Sequence, residues 1–151
     1  KNLWFFPEIT QFQYLGEGAE QKVYRFDDAS VIKINDSIFY EYWLDYLNSL
    51  LIHNFFFKST AYELLGFKII ADKLYSVVKQ NFIQSTEKVD LEKVKLFLEH
   101  NLFTNTRNND YINEELGLIF EDLHDENVIS NKGILFFIDT IFYLTPNFYK
   151  N

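Results

Sequence analysis

The stretch that most constrains this chain is residues 118–139, LIFEDLHDENVISNKGILFFID. Two apolar runs, 118–120 and 134–138, enclose a dense polar segment, 121–127. An apolar run, a polar loop, Val128 and Ile129, a turn at Lys132 and Gly133, and a second apolar run form the pattern of a hairpin of buried strands. The loop before that hairpin carries Asp122, His124, Asp125, Glu126 and Asn127, and the strand after it ends in a lone acid, Asp139.

Spacing says more than composition here. Asp122 and Asn127 are five residues apart, and Asn127 and Asp139 are twelve apart. A phosphoryl-transfer site needs an acid to receive or orient the nucleophile's proton, with an amide and a second carboxylate to hold a divalent metal. A solvated, chemically idle acidic loop between two strands fits the same residues. The other end of the chain bears on the choice.

A length of 151 residues fits one domain, or two at the outside. With 17 Phe and 10 Tyr there is ample material for a packed core, and disorder over most of the length is excluded. No apolar run approaches the ~18 residues that span a bilayer, and nothing reads as a signal peptide. The formal charge of −8 opposes a nucleic-acid ligand, which needs a clustered basic face. Zero Cys excludes disulfides, thiolate nucleophiles and Cys-ligated zinc, and is compatible with the cytoplasm. The absence of Met, even at position 1, reads Lys1 as a processed or cut end.

Residues 11–34 alternate and turn like three antiparallel strands, the first connection bearing Gly16 and Gly18. Two glycines let a backbone approach a polyphosphate and aim N–H groups at it, although most such pairs are ordinary turns. Ten residues past Val23 stands Lys33, between Ile32 and Ile34. A lysine so placed marks either an edge strand, a snorkelling side chain or a functional ammonium. Asp36 or Ser37 is a plausible N-cap, and apolar pairs every four residues predict a helix over 37–52. Glu41 falls on its flank, as a site residue or as a solvated acid in weak surface pairs. Residues 63–71 and 74–80 read as two strands joined at Asp72 and Lys73, and Asp90 caps a second helix. Residues 104–110, TNTRNND, read as a loop by composition, and 111–116 are ambiguous.

In chain order these features are G-E-G-A-E-Q-K-V, V-I-K, a helix with Glu, two strands, a helix, D-L-H-D-E-N, a hairpin and F-F-I-D. That order resembles the protein-kinase-like fold over nearly the whole chain. It is most similar to the very small kinase-like domains of bacterial and phage polyvalent proteins, where the activation segment and later helices are absent. The loop with His124 two residues after Asp122 is also similar to that of aminoglycoside-phosphotransferase-type kinases.

The resemblance implies an α+β minimal kinase-like fold: an N-terminal antiparallel sheet plus one helix, and a strongly truncated C-terminal lobe. It implies a single domain over 1–151, with a sheet lobe at 1–83 and a reduced lobe at 84–151. The implied function is a phosphotransferase dependent on ATP and Mg²⁺, cytoplasmic, with an unidentified protein or small-molecule acceptor. The alternative is a catalytically inactive pseudokinase module that binds nucleotide or protein. Lys33 would neutralise the α/β-phosphates, with Glu41 orienting it, and Asp122 would serve as the base or orient the acceptor hydroxyl. Asn127 and Asp139 would hold the metal. Gly16 and Gly18 would cover the phosphates. Val23 and Val31 would roof the adenine with Ile129 and Ile138 beneath it, and the backbone of Lys79-Gln80-Asn81-Phe82-Ile83 would form the hinge. There are departures. Gln21 replaces the third glycine, Phe120-Glu121 stands where protein kinases have His-Arg, and Asp139-Thr140-Ile141 replaces D-F-G.

Overall fold

Strict alternation in the first part of the chain produces a sheet whose two faces differ in chemistry. The computed structural model describes residues 9–18 and 21–150, so the tip of the glycine turn, residues 19 and 20, lies outside the described residues. The described chain divides into two units: one runs to Leu47 and resumes over Lys58–Phe82, and the other comprises Asn48–Phe57 and the chain from Ile83 onward.

The first unit is a five-stranded antiparallel sheet of β1 (Gln13–Glu17), β2 (Gln21–Arg25), β3 (Ser30–Asn35), β4 (Glu63–Ile70) and β5 (Lys73–Asn81), in the order β1-β2-β3-β5-β4. β3 is central and buried along its whole length. Ile32 and Ile34 pack with Val77 and Ile9 as an apolar cluster. Because side chains alternate, Val31 and Lys33 occupy the opposite face. β4 and β5 meet in a two-residue turn, Ala71 and Asp72, with φ of 48° and 63° between paired Ile70 and Lys73. Two left-handed residues are the signature of the turn whose twist matches that of the strands.

Helix α1 (Trp43–Phe56) begins six residues later than the apolar periodicity predicts. The candidate capping side chains do other work. Asn35 Oδ1 accepts from Ser37 N at 2.7 Å and Asp36 Oδ1 from Ile38 N at 3.1 Å. Asp36 also takes the Lys73 ammonium at 2.6 Å, and Ser37 is left-handed at φ 57°. Short polar side chains that bond their own backbone compete with a helix, and here they make a turn instead. The buried stripe of α1 is Tyr46, Ser49 and His53, whereas Leu44 and Leu51 are exposed. Tyr46 lies in the first unit, its hydroxyl 2.6 Å from Ser76 Oγ, and burial pushes its phenol up to about 12.

The second unit carries helix α2 (Leu91–His100), capped as its sequence predicts by Asp90, whose carboxylate accepts from Glu92 N at 3.0 Å. A four-stranded antiparallel sheet, order β11-β8-β7-β6, is built from β6 (Thr104–Arg107), β7 (Asp110–Asn113), β8 (Leu118–Glu121) and β11 (Ile141–Leu144). β9 (Val128–Asn131) and β10 (Ile134–Phe137) form a separate hairpin turning at Lys132 and Gly133. Residues 104–110 are therefore not a loop. β6 is exposed at every position, so its sequence lacks the apolar alternation of a half-buried strand. It is held by ladder bonds to β7 and by Asn105 Nδ2, which donates to the carbonyls of Asn108 and Asp110. The core of this unit is aromatic: Phe120 stacks on Phe142 at 4.1 Å and Phe57 on Phe137 at 4.5 Å. No helix among the described residues is long and apolar enough to cross a membrane.

Candidate active site

In the first unit, register collects the candidate nucleotide residues on one sheet face. Val23 stands opposite Lys33, which stands opposite Val78; Val31 stands opposite Gln80. Val23, Val31, Lys33 and Gln80 thus share the face away from the Ile32–Ile34 cluster. Lys33 is 3% exposed, and its ammonium sits 5.7 Å from the centroid of the Tyr62 ring. An aromatic face attracts a desolvated cation, and nothing in the sequence around Tyr62 announces that role.

Gly16 pairs with Val23 beside an irregularity in the β1 register, and a Cβ there would meet nothing within 4 Å. Gly18 N donates to Gln21 O at 2.9 Å, which closes the turn at its base. Of the expected hinge, Gln80 commits its side-chain amide to Thr60 O at 2.7 Å and Phe82 its N–H to Ala29 O at 2.8 Å. The group Phe82 retains for a ligand is its carbonyl. Glu41 lies in the bend before α1, not in the helix; it is exposed and makes no ion pair among the described residues.

In the second unit, a compact hydrogen-bonded loop carries the other candidates. Asp122 ends β8 in the left-handed region, φ 61°, where an unbranched short polar side chain is tolerated best after glycine. The β6–β7 turn anchors it: Asp122 N donates to Asp110 Oδ1 at 3.1 Å and Leu123 N to Asn109 O at 3.0 Å. His124 Nδ1 accepts from Glu126 N at 3.2 Å. In the neutral ring that puts the proton on Nε2, 3.3 Å from Asp122 Oδ2.

Asn127 ties the loop together. Its Nδ2 donates to Asp122 O at 2.6 Å and approaches Asp122 Oδ2 at 3.2 Å. Its carbonyl accepts from Ile138 N at 3.0 Å and Asp139 N at 3.4 Å. Asp122, Asn127 and Asp139 are thereby adjoined within one unit. Ile129 is half-buried on β9, opposite Phe136. Burial raises the Glu121 carboxyl, with Asp110 adding to the rise and Arg107 opposing it.

The donor set suits a hard divalent cation. With Nδ2 engaged, Asn127 is left with Oδ1, an oxygen ligand, and its main-chain carbonyl joins it to the backbone N–H of Asp139, the neighbouring acid. Magnesium is held by one or two such groups, with phosphates and water completing its octahedron. No group of three or more His, Asp or Glu side chains is assembled as a metal centre among the described residues.

A small antiparallel sheet with one helix, joined in sequence to a D-x-x-x-x-N loop and a hairpin ending in Asp, defines a kinase-like domain of reduced size. The chain belongs to the family described as serine/threonine/tyrosine kinases found in polyvalent proteins, whose family model matches residues 1–146. No curated protein and no solved structure matches it.

Proposed function

We propose that this domain is an ATP- and Mg²⁺-dependent phosphotransferase acting on a hydroxyl. The observation that carries the reading is Asn127, whose amide binds Asp122 while its carbonyl takes the amides of 138 and 139. That arrangement supports Asp122 as the acid for proton transfer, and the Asn127 side-chain oxygen with the Asp139 carboxylate as the pair for metal. Bound Mg-ATP supplies an electrophilic γ-phosphorus and a leaving group whose charge is partly neutralised.

The chain's own residues do the rest. Lys33, already desolvated, offers its ammonium to the phosphates, and the backbone at Gly16 and Gly18 covers them. In the first unit Val23 and Val31 would take the base and the Phe82 carbonyl would accept from its amino group; in the second Ile129 is the candidate for the base. Asn127 Oδ1 and Asp139 would hold the metal. Asp122 takes the acceptor's proton on Oδ1, while its Oδ2 is steadied by His124 Nε2–H and the Asn127 amide. Glu41 would have to reach Lys33 from the bend before α1. The position of His124 keeps a small-molecule hydroxyl, as in aminoglycoside-phosphotransferase-type kinases, beside a protein hydroxyl as acceptor.

A non-catalytic nucleotide- or protein-binding module is the second reading. It is favoured by Gln21, half-buried at the start of β2 where a third glycine would give phosphate the closest approach. Thermal shift and turnover separate the two. For the enzyme, ATP raises Tm only with Mg²⁺, Asp139→Asn abolishes the rise, and Asp122→Asn binds but loses turnover by roughly 10²–10⁴-fold. No shift with any nucleotide at millimolar concentration would count against both nucleotide readings. A shift without turnover would favour the module.

A further inference from the structure

Within the second unit, three α1-side residues at four-residue steps, Ser49, His53 and Phe57, bracket the segment that carries Asp139. Ser49 Oγ accepts from Phe142 N at 3.0 Å, His53 Nδ1 lies 2.7 Å from Thr140 Oγ1, and the Phe57 ring stacks on Phe137 at 4.5 Å. The contacts therefore fall two residues before Asp139, one after it and three after it. Residues four apart lie on one helical face, so the spacing is that of a single stripe.

Two of the three are polar and buried, Ser49 at 2% and His53 at 0% exposure. Burying a hydroxyl and an imidazole is unfavourable unless each is paired, and leucine would fill the same space without that cost. Ser49 reaches residue 142 and His53 reaches residue 140. Between β10 and β11, residues 138–140 lie outside both strands, and the amides of 138 and 139 share the Asn127 carbonyl. Asp139 is thus held from the loop side by Asn127, and its neighbour Thr140 from the helix by His53.

We propose that His53 is a positioning residue: through Thr140 Oγ1 it fixes the backbone at 139–140, and so the direction of the Asp139 carboxylate toward the cation. This rests on Asp139 as a metal ligand, whereas the clamp itself does not. Outer-shell partners that orient a ligand typically change metal affinity by 10–100-fold when removed.

The test uses the full chain with His53→Leu and the milder, near-isosteric Thr140→Val, against His53→Asn and Thr140→Ser, which keep a hydrogen-bonding atom in place. Amide hydrogen exchange of residues 139–141 without ligand reads the clamp; Mn²⁺ affinity with ATP present, by electron paramagnetic resonance, reads its consequence. His53→Leu and Thr140→Val are expected to speed exchange there and to weaken Mn²⁺ on the order of tenfold. The conservative variants restore most of it, and the double substitution is no worse than one. Unchanged exchange and Mn²⁺ affinity in Thr140→Val, whatever happens to Tm, would overturn the proposal. Faster exchange with a wild type that binds no Mn²⁺ would retain the clamp but remove Asp139 as ligand, and the role of His53 with it.

Discussion

The two units hold their candidate residues in opposite ways. In the sheet unit, Val23, Val31, Lys33 and Gln80 project from a regular ladder, and the backbone beneath them is fixed by pairing with β2 and β5. In the other unit, Asp122 and Asn127 are at once candidate site residues and scaffold, because their side chains and carbonyls shape the loop that presents them. Function and stability are therefore separable at Lys33 and entangled at Asn127. In a sheet the frame comes from neighbouring strands, while an irregular loop has only its own side chains to satisfy its backbone.

Substitutions test that contrast. Asn127→Ala removes the donor to a partly buried Asp122 carbonyl, with an expected cost of about 3 kcal/mol by urea unfolding, alongside loss of any turnover. Tyr46 sets the next effect. Its folded phenol is raised to about 12 from an ordinary 10, so it contributes stability that is full below pH 10 and is lost as pH rises toward 12. Wild type should lose roughly 2 kcal/mol across that window, and Tyr46→Phe should show a flatter profile there.

Lys33→Met keeps the stem on the sheet face and removes the charge with its contact over the Tyr62 ring. It should destabilise less than Asn127→Ala does, while ATP affinity falls at least about tenfold. A destabilisation as large as that of Asn127→Ala would break the comparison. The smallest effect lies at Glu87, whose carboxyl is held below its ordinary 4.5 by the Ser130 hydroxyl and then the Gly133 N–H. Its contribution is present above pH 4.5 and disappears as pH falls through the depressed value. Glu87→Gln should shallow the acid limb of an unfolding curve below pH 4.5, because it lowers stability slightly at neutral pH and leaves acid pH nearly unchanged.

The sheet was legible because alternation and turn chemistry are local. The strands of the first unit, the turn at Lys132 and Gly133 and the Asp90 cap follow from neighbouring residues alone. The start of α1 was not legible, because Asp36 and Ser37 look like caps until the bonds of Asn35 and Asp36 are seen to make a turn. The β6–β7 hairpin was hidden for the opposite reason: a strand exposed at every position has no apolar period. In the candidate site, spacing pointed to the loop but not to the order of its hydrogen bonds, which depends on the left-handed Asp122. Tyr62 beneath the Lys33 ammonium and the Ser49–His53–Phe57 stripe join residues far apart in sequence. A buried histidine inside an apolar helix carries no local sign of its partner.

The left-handed backbone at residue 122 bears on how loops of this shape can drift. Besides glycine, asparagine fits that conformation nearly as well as aspartate and can still bond to His124 and Asn127. A descendant that exchanged one for the other would keep every contour of the loop while forfeiting the proposed proton acceptor. Superposition alone could not tell a working copy from a silent one; the single letter at that position would.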